Sequence, residues 1–135
     1  MSYLLDTNIV TAHLKNNQTI KNKLEQIENQ GQVIFTSCLT YYEIKRGLLA
    51  INSLNKLSTF QEFCRKYRVL LLDDLQIIEK AAEIHADLKR KGTPIQDADV
   101  LIAATAIVKR LILVSNDSDM LRVVGVTVED WLNLE

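Results

Sequence analysis

Apolar and polar positions follow two different periods along this chain. Tyr3-Leu4-Leu5, Val33-Ile34-Phe35-Thr36, Val69-Leu70-Leu71-Leu72 and Leu111-Ile112-Leu113-Val114-Ser115 are short apolar runs flanked by polar residues, the pattern of strands buried on both faces. Between them the spacing becomes helical. Ile20, Leu24 and Ile27 recur three and four apart with Gly31 as a stop, and Phe60, Phe63, Cys64 and Tyr67 repeat that pattern. Ile9 to Leu14 predicts a short helix capped by Thr7 or Asn8, and Ser37 predicts the cap of a helix reaching about Ala50. Asp73-Asp74 opens a helix carrying Ile77, Ile78, Ala81, Ile84 and Leu88, which stops at Gly92. Thr93-Pro94 then breaks the chain before a helix from about Gln96 to Lys109. A turn of helix around Asp119 to Arg122 and an edge strand at Val126-Thr127-Val128 complete the pattern.

Strands separated by helices cannot pair through tight hairpins, so the expected architecture is a three-layer α/β/α domain with a mainly parallel sheet of four to five strands. All of 1–135 fits one such domain. In these sheets the functional crevice lies beyond the carboxyl ends of the strands, where strand order reverses. Asp6 and Asp117 directly follow the first and fourth strands. Only Arg110 separates the preceding helix from the fourth strand, so that helix runs antiparallel to it and brings Asp97 and Asp99 to the same edge. These two are two apart on a helix and point in different directions, Asp99 being the one expected to face inward. Glu43 lies about two turns into the helix after the second strand, near the same edge.

Composition narrows the field. With 47% hydrophobic and 24% charged residues and no biased segment, the chain reads as an ordered globule. Its longest apolar run, Val100 to Val108, is far short of a membrane span, and Met1-Ser2-Tyr3-Leu4-Leu5-Asp6 lacks the features of a secretory signal, so a cytoplasmic protein without a membrane partner is expected. Cys38 and Cys64 are too few and too far apart for a zinc or disulfide framework and read as reduced core thiols. A net charge of −1 argues against binding a polyanion through bulk positive charge. The clumps Lys45-Arg46, Arg65-Lys66-Tyr67-Arg68 and Lys89-Arg90-Lys91 read as solvated helix ends, which permit such a partner without demanding one.

Carboxylates gathered at one edge need a neutralising partner, since two of them about 4 Å apart repel by roughly 4 kcal/mol at an effective dielectric of 20. Among side chains, only Lys45-Arg46 lies near any of the four in sequence. An all-oxygen donor set suits Mg²⁺ or Mn²⁺ over Zn²⁺. Structural readings compete with this one: Asp6 as a helix cap, Thr40-Tyr41-Tyr42-Glu43 as a capping box, Asp119 as a first-turn acid, and His13 and His85 as packing or surface histidines.

The set Asp6-Thr7-Asn8, Glu43, Asp99-Val100-Leu101-Ile102-Ala103-Ala104 and Ser115-Asn116-Asp117, in this order and spacing, resembles the PIN-domain ribonucleases, and the length and ending are similar to their VapC-type toxins. The resemblance implies a Mg²⁺- or Mn²⁺-dependent endoribonuclease that forms the toxin of a toxin–antitoxin pair. It carries Asp6, Glu43, Asp99 and Asp117 over as catalytic and metal-holding acids, with Thr7 and Asn116 as polar companions; Asp97 has no family role and stays a lesser candidate. It further implies a VapB-like antitoxin reaching the acids, an RNA substrate such as transfer RNA, and a homodimer. Two other readings stay open at this point. One is a silent RNA- or antitoxin-binding module of the same shape. The other is a magnesium-dependent phosphatase or phospho-acceptor domain, which Asp6-Thr7-Asn8 fits poorly because such a phosphatase wants Asp-x-Asp there.

Overall fold

A computed structural model of the chain describes residues 1–133. Strands β1 (Ser2–Leu5), β2 (Val33–Ser37), β3 (Val69–Leu70), β4 (Ile112–Val114) and β5 (Val128–Glu129) form one sheet in the order β3-β2-β1-β4-β5, and every neighbouring pair is parallel. Six helices connect them: α1 (Thr7–Leu14), α2 (Gln18–Asn29), α3 (Cys38–Ala50), α4 (Leu54–Lys66), α5 (Leu75–Arg90) and α6 (Asp97–Lys109). A 3₁₀ turn at Ser118–Arg122 follows β4.

The sheet separates two cores because successive strand side chains point to opposite faces. On one face Tyr3, Leu5 and Val114 pack with Ile9, Ile20, Leu24, Phe60 and Phe63 from α1, α2 and α4. On the other, Leu4 and Leu113 pack with Ile77 and Leu88 of α5 and with Ile102, Ala103 and Ala106 of α6. The alanines let α6 lie close to the sheet, and Ala103, Ala104 and Ala106 have no exposed surface. Burying each of Leu4, Leu5 and Leu113 completely contributes about 1.5–3 kcal/mol.

The two edge strands are displaced from expectation by two residues at one end. β3 stops at Leu70, and Leu71 is largely exposed. As an edge strand it has only β2 to pair with, and β2 ends at Ser37, the partner of Leu70. β5 begins at Val128, two residues later than expected, after Gly125 turns the chain with a φ of 93°.

The connections aim the carboxyl edge. From β1 the chain steps outward through β2 to β3, then crosses to β4 on the other side of β1, so strand order reverses between β1 and β4. Arg110 takes the left-handed conformation, φ 57° and ψ 47°, and with Leu111 reverses α6 into β4. The first turn of α6 therefore lies beside the ends of β1 and β4.

Candidate functional site

Asp6 leaves the end of β1 directly, its backbone N–H donating to the Val114 carbonyl at 2.9 Å. It is buried, with 3% of its surface exposed. Oδ1 accepts from the Thr7 N–H at 2.8 Å and Oδ2 from the Ser115 hydroxyl at 2.7 Å. This corrects the expectation that Thr7 or Asn8 caps α1. Asp6 keeps an extended backbone with ψ 161° and is itself the cap, because helical dihedrals begin immediately after it. Burial raises its pKa above the ordinary carboxylate value; the Ser115 and Thr7 hydrogen bonds oppose the rise and the Asp117 charge adds to it.

Thr7 and Thr40 share a hydrogen bond between their hydroxyls at 2.9 Å, tying the start of α1 to α3. The competing reading of Thr40–Glu43 as a capping box does not hold, and the expected Ser37 cap does. Ser37 caps α3 by accepting from the Leu39 N–H at 3.1 Å, which leaves Thr40 and Glu43 inside the helix. Glu43 is half-buried, and its charge acts on Asp99.

On the first turn of α6, Asp97 is exposed and Asp99 half-buried. The Asp99 pKa is raised from 3.8 to about 6, by burial first and then by the charges of Asp6, Asp117, Glu43 and Asp119. Asp117 caps the 3₁₀ turn by accepting from the Asp119 N–H at 2.9 Å. Asn116 is exposed, and its backbone N–H reaches the Asn8 side-chain oxygen at 3.4 Å.

Carboxylate oxygens of Asp99, Asp117 and Asp119 lie within 4.8 Å of one another. Asp6 and Glu43 stand outside that group of three, close enough for their charges to act on Asp99. Asp119 is the first-turn acid of the 3₁₀ turn, as expected, and in addition its carboxylate lies beside those of Asp99 and Asp117. The signal was an Asp-x-Asp at the end of the fourth strand, Asp117-Ser118-Asp119.

Ser115 is a second residue that sequence reasoning passed over. It is 1% exposed, and besides donating to Asp6 its hydroxyl accepts from the Asp117 N–H at 3.0 Å. One side chain therefore ties together the acids that follow two strands. In the sequence it shows as a polar residue closing an apolar run at the head of Ser115-Asn116-Asp117, without a role of its own. His13 packs against Phe63, with ring centroids 5.0 Å apart, and His85 is exposed on α5. Cys38 and Cys64 are free and half-buried.

Five carboxylates thus crowd one edge, and among the described residues the only ion pair they make is Asp119 with Arg122 at 3.1 Å. Burial and like charge both oppose ionisation there, so the group either holds protons or shares a cation. The donors are all carboxylate oxygens, without imidazole or thiolate, and this chemistry fits a hard divalent ion.

A family model described as PIN domain matches residues 3–126. The chain is 32% identical, over 97% of its length and 98% of the relative's, to a tRNA(fMet)-specific endonuclease VapC of Salmonella typhimurium. It is also 32% identical to a Ribonuclease VapC1 of Methanocaldococcus jannaschii, over 78% of this chain and 68% of that one. Among solved structures, DNA-bound VapBC from Salmonella typhimurium matches with a TM-score of 0.84 and 30% identity, covering 97% of this chain and 98% of that one. VapBC2 from Rickettsia felis, bound to a promoter DNA fragment, matches with a TM-score of 0.87 and 25% identity, covering 97% and 99%.

Proposed function

Because the chain belongs to the PIN-domain family and to its VapC-type members, we propose that it is a divalent-metal-dependent endoribonuclease, the toxin of a toxin–antitoxin pair. The observation that carries this reading is the crowding of Asp99 by Asp6, Glu43, Asp117 and Asp119 without a balancing set of cations.

Asp99, Asp117 and Asp119 offer the donors for Mg²⁺ or Mn²⁺, with Asp6 and Glu43 at their border. When bound, such an ion lowers the pKa of a coordinated water and offsets charge developing on the phosphoryl group. Ser115 and the Thr7 N–H hold the Asp6 carboxylate in one orientation. The Thr7–Thr40 pair keeps α1 and α3, and with α3 Glu43, in register. Asp99, with a pKa near 6, keeps part of its proton at mildly acidic pH, so a cation competes with that proton for the site.

The partners follow from the relatives. The Salmonella relative is named tRNA(fMet)-specific, and a matching solved structure from Salmonella typhimurium is a VapBC complex, so a structured RNA substrate and a VapB-like antitoxin are proposed here. The family resemblance implies a homodimer, and that is the proposed assembly. No helix among the described residues is long and apolar enough to cross a membrane, and an RNA substrate argues for the cytoplasm.

The test is cleavage of bulk transfer RNA by the purified chain. Cutting is expected with Mn²⁺ or Mg²⁺ and is abolished by a chelator. Adding Mn²⁺ at 100 times its Kd should stabilise the fold by about 2.7 kcal/mol. A chain that binds RNA but cuts it under neither metal would be the silent module.

A further inference from the structure

A cleft of about 540 Å³ opens between α1, α3 and α4, and it begins at Thr7 and Glu43, on the border of the acid cluster. Leu14, Leu48 and Ile51 contribute its apolar lining, and Lys15, Arg46 and Lys56 also line it. All three cations are exposed, and none forms an ion pair among the described residues.

Two positions here run against local preference. Gly47 lies inside α3, where glycine costs about 1 kcal/mol relative to alanine, yet a Cβ at that position would meet nothing within 4 Å. No packing constraint requires it, and it lines the cleft. Lys56 sits in the first turn of α4, which has no acid there, so its charge adds to the positive end of that helix. Both departures face the same space, and residues that break a local rule without a structural gain point to function.

From this geometry we infer that the cleft is the track along which a single-stranded segment of the structured RNA reaches the acids, its phosphates on Lys15, Arg46 and Lys56 and its base faces against Leu14, Leu48 and Ile51. The inference rests on the ribonuclease reading and extends it from the reacting centre to the flanking nucleotides. Acids repel a polyanion, so a substrate drawn to them needs cations along its path, and the lining of this cleft supplies three of them. A single strand, unlike a duplex, has base faces to lay on an apolar floor. Gly47 keeps that floor open.

The experiment measures binding of a fluorescent single-stranded RNA to the full chain in chelator across a salt series, with RNA cleavage in Mn²⁺ alongside. The triple variant Lys15→Gln/Arg46→Gln/Lys56→Gln should bind at least tenfold more weakly, and its slope of log K against log salt should be shallower by about 2, at 0.7 per phosphate contact. Gly47→Leu fills the cleft and removes a helix glycine, so it should melt no lower than the parent while losing at least tenfold in RNA affinity. Both variants should bind Mn²⁺ as the parent does. Unchanged RNA affinity in Gly47→Leu, or an unchanged salt slope in the triple variant, would overturn the inference and leave the cleft to a protein segment. If the parent cuts RNA while these variants bind it normally, the cleft assignment fails and the ribonuclease reading survives. If the parent binds RNA through the cleft but never cuts, the reverse holds.

Discussion

Two groups of titratable side chains in this molecule, each built of buried and half-buried members, look alike in burial and differ in charge. At the carboxyl edge, Asp99 is pushed up to about 6 by burial and by four neighbouring acids. On the same face as α1, α2 and α4, His13 is pushed down by burial, Lys21 and Lys66, while Glu28 opposes the shift. Tyr67, beside Phe63 at 4.7 Å, is raised by burial and by Glu28, and Glu28 pairs with Lys66 at 3.3 Å. The second group neutralises itself with opposite charges and aromatic packing; the first has only Arg122. Perturbed pKa values alone would nominate both as functional. The sign of the surroundings separates them, because only the acid edge needs something from outside to balance it.

The largest test of this contrast is Asp99→Asn. Removing a donor of the proposed cation should lose several kcal/mol of transition-state stabilisation, about 10³-fold in kcat. Apo stability should move the other way. The folded chain keeps the Asp99 proton up to about pH 6, whereas the unfolded chain releases it near 3.8. The folded state therefore binds more protons between these values, and Asp99 lowers stability as pH rises from about 4 to about 6. Discounted for solvent reaching the site, the loss is about 1 kcal/mol. In chelator at pH 7 the variant should melt a few degrees higher than the parent, and it should lose most of the Mn²⁺-dependent rise in Tm. A variant that melts lower with and without Mn²⁺ would mean that Asp99 holds the fold rather than a cation.

Next in size is Ser115→Ala. It deprives Asp6 of its 2.7 Å hydrogen bond and leaves the Asp117 N–H without its acceptor. Supporting hydrogen bonds of this kind are worth about 10–100-fold in metal affinity. Calorimetric Mn²⁺ titration should show that loss, and Ser115→Thr should restore it. A variant that melts lower but binds Mn²⁺ normally would reduce Ser115 to packing.

That residue also marks the limit of what the sequence discloses. The alternation of buried runs and helical periods was enough for a parallel α/β sheet, and chain direction alone was enough to bring Asp6, Asp99 and Asp117 to one edge. The details that escaped are set by register between distant segments. β3 is short because β2 ends opposite Leu70. Asp119 joins Asp99 and Asp117 because the 3₁₀ turn aims it there. Ser115 matters because Leu5 pairs with Val114, which puts the next residue of each strand side by side. Pairing across more than a hundred positions leaves no local trace.

Glu28→Gln probes the self-neutralised group and should have the smallest effect. It removes an ion pair whose lysine side chain is 62% exposed, a contact worth about 0–1 kcal/mol. Losing the Glu28 charge should let the Tyr67 hydroxyl ionise at lower pH and push the His13 pKa further down, because Lys21 and Lys66 then act unopposed. An ultraviolet titration of tyrosinate and an NMR titration of the imidazole read these shifts directly. RNA cleavage and Mn²⁺ affinity should stay at parental values, since no charge of this group is among those that act on Asp99. A loss of cleavage comparable to that of Ser115→Ala, in a variant that stays folded, would erase the distinction between the two groups and make the α1–α2–α4 face part of the catalytic machinery.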